Sequence, residues 1–234
     1  MFRVNEFYDL IFAATERVNL DFSSGFKPGI FLFLLVVLAF IPFIVMMLTS
    51  FVKYSVVLTI LKNAIGLQQI PPTSVITGLS IVLTIFTMQP VASKMYISAK
   101  DTFDRENVQM KIDSVPDLMK AFEAARPPLM EYLLKHTGKK ELHLFQDANK
   151  NDDLKDSILI VAPAFVITQL KEAFMMGFRL FIPFLLIDLL VANLLVAIGL
   201  NMLTPVSISL PLKLLIFVLS DGWYLVTKNL ILSN

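Results

Sequence analysis

Imidazole and thiolate chemistry have little foothold in this chain. It has two histidines, His136 and His143, and no cysteine. Disulfides and thiolate metal centres are therefore excluded, and the histidines sit in a charged stretch with no second pair of ligands nearby. Neither a metal nor a cofactor is expected. The sequence contains no G-x-x-x-x-G-K-[ST], G-x-G-x-x-G, H-E-x-x-H or G-x-S-x-G motif, which argues against nucleotide hydrolysis and against the common hydrolase sites. Asp188 and Asp221 are the carboxylates an intramembrane aspartyl mechanism could use, but a hairpin separates them and neither has supporting context. No catalytic residue is assigned, and the chain is not expected to be an enzyme.

The informative charges are those stranded among apolar residues: Lys171, Glu172, Arg179, Asp188 and Lys213. Glu172 and Arg179 are seven positions apart and so share a helical face, with Met175 and Met176 between them. A charge in an apolar helix is costly unless it is paired or wetted. Lys171 and Glu172 could also mark a partly exposed helix end. Lys213 lies between Leu210 and Val218, so it needs an acidic partner, within the chain or from another subunit, or a route to water. These residues are read as buried or inter-subunit charges.

A second feature is the stretch from Gly199 to Pro211. Its glycine and two prolines (Gly199, Pro205, Pro211) predict a break from continuous helix, yet it lies within an uncharged run from Leu189 to Leu212. At membrane depth, irregular backbone is tolerated only where protein buries it or where it lines a cavity. The reading is a helix–loop–helix hairpin whose loop faces a protein interior or a pore. An ordinary turn outside the membrane satisfies the spacing equally well. Methionines at positions 46, 47, 88, 95, 175, 176 and 202 supply flexible side chains suited to irregular gaps, whether in a core or around a pore.

The elements that must position these residues follow from composition. Hydrophobic residues make up 56% of the 234, against a usual 45–50%, and the mean hydropathy is +0.72. The net charge of +1 gives no electrostatic footprint for nucleic acid. Residues 1–29 interleave Glu6, Asp9, Glu16 and Asp21 with apolar positions at helical spacing, which predicts an amphipathic segment rather than a secretory signal. Residues 30–93 form two apolar helical blocks: Pro28–Val52, with Pro42 inside it, and Thr73–Ser93, with a break at Gly66 and Pro71-Pro72. Each is long enough to cross about 30 Å of hydrocarbon.

Residues 94–157 hold 23 of the 39 charged side chains. They predict a small soluble, helical insertion in which Pro127-Pro128 interrupts the run Asp117–Lys135. At more than sixty residues, it is too long for the positive-inside rule to give an orientation. Residues 158–234 return to apolarity and predict three helical pieces: Ile158–Gly177 continuing toward Asp188, Leu189–Ile198, and Ile208–Leu232. The fold class is an all-α membrane protein of apolar helical hairpins with a small soluble insertion.

Three stretches resemble the FliP/SctR family of type III export-gate proteins. The first runs from Leu48-Thr49-Ser50-Phe51-Val52-Lys53-Tyr54 through Leu61–Pro72. The second runs from Ala162-Pro163-Ala164-Phe165-Val166 through Ala173–Phe178. The third takes in Phe181-Ile182-Pro183-Phe184, Ile187-Asp188-Leu189 and Ser207–Lys213, ending at Asp221-Gly222-Trp223. The resemblance implies a core pore-forming subunit of an export gate that passes unfolded proteins across the bacterial inner membrane. It implies about five copies, assembled with FliQ/SctS-like and FliR/SctT-like subunits into a helical, funnel-like pore. It further implies a multi-pass membrane protein whose complex protrudes toward the periplasm.

The family's methionine-rich constriction falls on Leu200, Asn201, Met202 and Leu203, with Gly199 and Pro205 setting the loop's path. Two departures stand out. Asn201 interrupts what is usually a run of methionines, and Gln169 stands where the family commonly has Glu. Were that Glu the usual partner of the lysine at position 213, Glu172 becomes a candidate partner here. Gln68–Pro72 and Ser50–Lys53 resemble the injectisome branch, whereas Leu129–Phe145 is as close to the flagellar one. The injectisome reading is favoured. The rival from another class is an independent secondary transporter or channel using Glu172, Arg179 and Asp188 as a relay; it would usually show duplicated halves, and none is seen.

Overall fold

The computed structural model describes residues 28–67, 71–105, 115–149, 157–200 and 202–233. The amphipathic segment expected over residues 1–29 lies almost wholly outside that set. The described residues form helices α1 (Pro28–Leu48), α2 (Phe51–Ile65), α3 (Thr73–Arg105), α4 (Val115–Lys135), α5 (Lys139–Ala148), α6 (Ile158–Ala197), α7 (Pro205–Leu219) and α8 (Gly222–Leu232), with no strand among them. Thr73–Phe103 and Ile158–Ala197 are each long and apolar enough to cross a membrane. So are α1 with α2, and α7 with α8, if each pair counts as one broken span.

Several local expectations are overridden. The block Pro28–Val52 is broken at Thr49 and Ser50, where α1 ends and α2 begins. Ser50, fully buried, precedes α2, and its carbonyl accepts the Tyr54 N–H at 3.2 Å. The three pieces expected after Ile158 are instead one 40-residue helix, α6, followed by α7 and α8. At 1.5 Å per residue α6 is about 60 Å long, twice the hydrocarbon thickness. Pro163 and Pro183 lie inside it without ending it, and Pro127-Pro128 lie inside α4. A proline removes one backbone hydrogen bond and adds a local clash. Neither effect ends a helix whose neighbouring turns stay bonded.

The chain divides into two compact units. One comprises Met1–Leu48 with Met88–Phe165. In it α4 buries Leu129, Tyr132 and Leu133. The Tyr132 ring lies 5.9 Å from Phe165 and 4.4 Å from His136, whose Nδ1 is 2.9 Å from the Tyr132 carbonyl. His136 thus closes a helix end. Lys94 and Glu131 approach to 3.8 Å, but both are well exposed, so the pair contributes little.

The other unit comprises Thr49–Thr87 with Val166–Asn234 and holds the main core. Residues Tyr54, Val57, Leu58, Leu61, Ala64 and Ile65 of α2 recur at helical spacing and are buried against Ile76, Leu83, Ala173, Phe184, Phe217, Val226 and Leu230. Gly66, at φ +90°, ends α2: its N–H and that of Leu67 return to the carbonyls of Asn63 and Lys62. Gly177 marks the closest approach of α6 to α2. A Cβ there would meet Cδ1, Cγ2 and Cβ of Ile60, the last at 3.0 Å. Gly177→Ala should therefore destabilise this unit by about 1–3 kcal/mol. Adding Ile60→Ala should recover part of the loss. The thermal midpoint of detergent-purified protein reads both, and an unchanged midpoint in Gly177→Ala would show that the approach is not tight.

Candidate functional site: the apolar hairpin and its two lysine clamps

Helices α6 and α7 form a hairpin whose irregular part is short. α6 closes on Gly199, at φ +77°, where the Gly199 N–H bonds the Val196 carbonyl (3.1 Å) and the Leu200 N–H bonds the Leu195 carbonyl (2.9 Å). This double return needs a left-handed residue, which glycine supplies without strain. α7 begins at Pro205, in the first-turn position where its missing N–H costs nothing. Thr204 precedes it with extended backbone, and its hydroxyl lies 2.7 Å from that of Ser207. Pro211 lies inside α7, so regular structure resumes at Pro205 and the break is shorter than Gly199–Pro211. At the tip Met202 is fully exposed, and Leu200 and Leu203 are about half exposed. Asn201 lies outside the described residues.

The hairpin is pinned by Lys213. Its ammonium donates to Asp188 Oδ2 at 2.5 Å and to the Ala64 carbonyl at 3.2 Å. The lysine side chain is 7% exposed and that of Asp188 39%. Asp188 Oδ1 is buried with no hydrogen-bond partner among the described residues. One contact thus ties α6, α7 and the end of α2 together, and the negative pole of α2 helps hold the cation. The acid opposite Lys213 is therefore Asp188. Glu172, the candidate suggested by the Gln169 substitution, is engaged elsewhere.

Glu172 pairs with Lys53, which no charge pattern in the sequence singles out. Lys53 is fully buried in the first turn of α2; it donates to Glu172 Oε2 at 2.8 Å and to the Ser233 carbonyl at 2.8 Å. The two clamps share one design: a buried lysine held between an α6 carboxylate and a carbonyl at a helix C-terminus. The two carboxylates are sixteen residues apart on α6, about 24 Å. Arg179, between them, is exposed and forms no ion pair among the described residues. Glu172 and Asp188 are each committed to a lysine, which disfavours a proton or ion relay through Glu172, Arg179 and Asp188. Among the described residues no cluster of His, Asp or Glu could hold a metal. Among the described residues the hairpin presents an apolar tip and is tied to the core by the Lys213 contact.

Comparison with known proteins agrees with this architecture. A profile described as the FliP family matches residues 34–230. The flagellar biosynthetic protein FliP of Bacillus subtilis is 39% identical over 98% of this chain and 100% of its own length. Yop proteins translocation protein R of Yersinia pestis is 38% identical over 84% of this chain and 91% of its own. The hypersensitivity response secretion protein HrcR of Ralstonia nicotianae is 38% identical over 91% of this chain and 97% of its own. With most of its length matched and its apolar helices of spanning length, the chain belongs to the FliP family, inner-membrane components of the type III secretion and flagellar export apparatus that are structural parts of a multi-subunit machine and not enzymes.

Proposed function

We propose that this chain builds the pore of a type III export gate through which unfolded proteins cross the inner membrane. The observation that carries the reading is the hairpin tip: a flexible apolar side chain, Met202, fully exposed between Leu200 and Leu203 and anchored by a buried ion pair. About five copies, with FliQ/SctS-like and FliR/SctT-like subunits, bring these tips around one axis. Thioether and isobutyl side chains then close the passage and yield to a polypeptide, while a narrow apolar constriction excludes water. Leu200, Asn201, Met202 and Leu203 form the seal, and Gly199 and Pro205 fix the loop's path. The chain passes the membrane more than once, and the complex protrudes toward the periplasm. Identities of 39% and 38% do not separate flagellar from injectisome relatives. The Gln68–Pro72 segment favours the injectisome branch, so deletion should stop effector secretion and leave motility intact.

The seal is tested by changing Leu200, Met202 and Leu203 together to Ala in cells expressing the whole complex. Leakage of ions and small dyes across the inner membrane should rise, with the complex recovered at wild-type yield. Unchanged leakage from an assembled complex would place the seal in a partner subunit.

A further inference from the structure

Arg179 and Asp221 are opposite charges left over in the unit that carries the hairpin. Each is exposed, and neither side chain has an ion-pair or hydrogen-bond partner among the described residues. Each is also set in an apolar face. Phe178 and Ile182 flank Arg179 with 66% and 42% exposure, and Leu219 and Trp223 flank Asp221 with 76% and 42%. A lipid-facing surface is a poor place for a lone guanidinium or carboxylate.

The two charges also lie on the same side of the Lys213–Asp188 clamp. The Lys213–Asp188 contact fixes the register of the antiparallel helices α6 and α7. Counting away from the hairpin tip, Arg179 lies nine residues from Asp188 and Asp221 lies eight residues from Lys213. At 1.5 Å per residue Arg179 stands about 14 Å from the clamp along α6, and α7 ends at Leu219, about 9 Å from it, with Asp221 two residues beyond. Asp221 is exposed at the turn where the chain bends by 64° between α7 and α8, with its own backbone left-handed at φ +53°. Among non-glycine residues, Asp and Asn bear that conformation best.

We propose that these residues form the contact between neighbouring copies of this chain, Arg179 of one meeting Asp221 of the next. A cation on one face and an anion on another, both on the same side of the clamp, make a head-to-tail contact, which repeats around a ring. Pairing satisfies both charges and covers the apolar side chains around them. The inference rests on the proposal that several copies assemble, and it names the contact between them.

The absence of cysteine makes the test clean. Two differently tagged copies are co-expressed with the partner subunits, one carrying Arg179→Cys and the other Asp221→Cys. Where Asp221→Cys does not accumulate, Ser220→Cys takes its place. Mild oxidation should give a covalent dimer bearing both tags, and Val196→Cys, near the hairpin tip, should give none with either partner. Separately, Arg179→Gln and Asp221→Asn should each lower oligomer yield about tenfold, with the double variant no worse than either alone, as expected of coupled residues. An intact oligomer with no mixed dimer overturns this contact and leaves the gate reading standing. If the cysteine-free chain forms no oligomer with its partners present, both fall.

Discussion

Asp188→Leu is expected to abolish recovery of the assembled complex while leaving membrane insertion intact. The substitution leaves the Lys213 ammonium, 7% exposed, with only the Ala64 carbonyl for company. A buried charge stripped of its partner costs about 3–5 kcal/mol, a large share of the stability of a domain this size. Lys213→Leu should be milder, because the Asp188 side chain it leaves behind is 39% exposed, against 7% for Lys213. Lys213→Glu should be as severe as Asp188→Leu, since it sets two carboxylates against each other beside a carbonyl. Replacing both partners by leucine removes the charge problem and should restore much of the yield. Size-exclusion profiles of the detergent-solubilised complex read all four variants. Full yield from Asp188→Leu would mean that Lys213 reaches water or a second acid.

Glu172→Leu should be the more damaging half of the second clamp. Lys53 has no exposed surface, and without Glu172 its one remaining acceptor among the described residues is the Ser233 carbonyl. The expected loss is again about 3–5 kcal/mol. Lys53→Met keeps most of the apolar stem and leaves behind Glu172, which is 39% exposed and so less enclosed than Lys53, so about 1–3 kcal/mol is expected. The asymmetry is the diagnostic part: removing the carboxylate should hurt more than removing the lysine. Thermal midpoints in detergent test it. Equal losses would show that the carboxylate is as enclosed as the cation.

How much of this was legible differs from element to element. The apolar blocks and the charged insertion follow from composition, because membrane length and charge density are local properties. That Lys213 needs an acid is equally local. That the acid is Asp188 is not, since it lies 25 positions away across a hairpin. Lys53 gave no signal: nothing in Phe51–Tyr54 distinguishes a span-flanking lysine from one that meets Glu172, 119 positions away. A rule that reads proline as a break fails at Pro163, Pro183 and Pro127-Pro128, where one lost hydrogen bond is outweighed by the rest of the helix. It holds at Pro205, where the proline sits in a first turn that needs no N–H.

The central claim is that translocating polypeptide passes the tips of these hairpins. Its most direct measurement is cross-linking in transit. Met202→Cys in this cysteine-free chain is combined with an export substrate that carries single cysteines along its length and is arrested by a tightly folded C-terminal domain. Disulfide products between position 202 and the arrested segment of the substrate are expected. Phe178→Cys, exposed on α6 well away from the tip, should give none. If arrested substrate is present in assembled complexes and position 202 never cross-links to it, the hairpin does not line the pore.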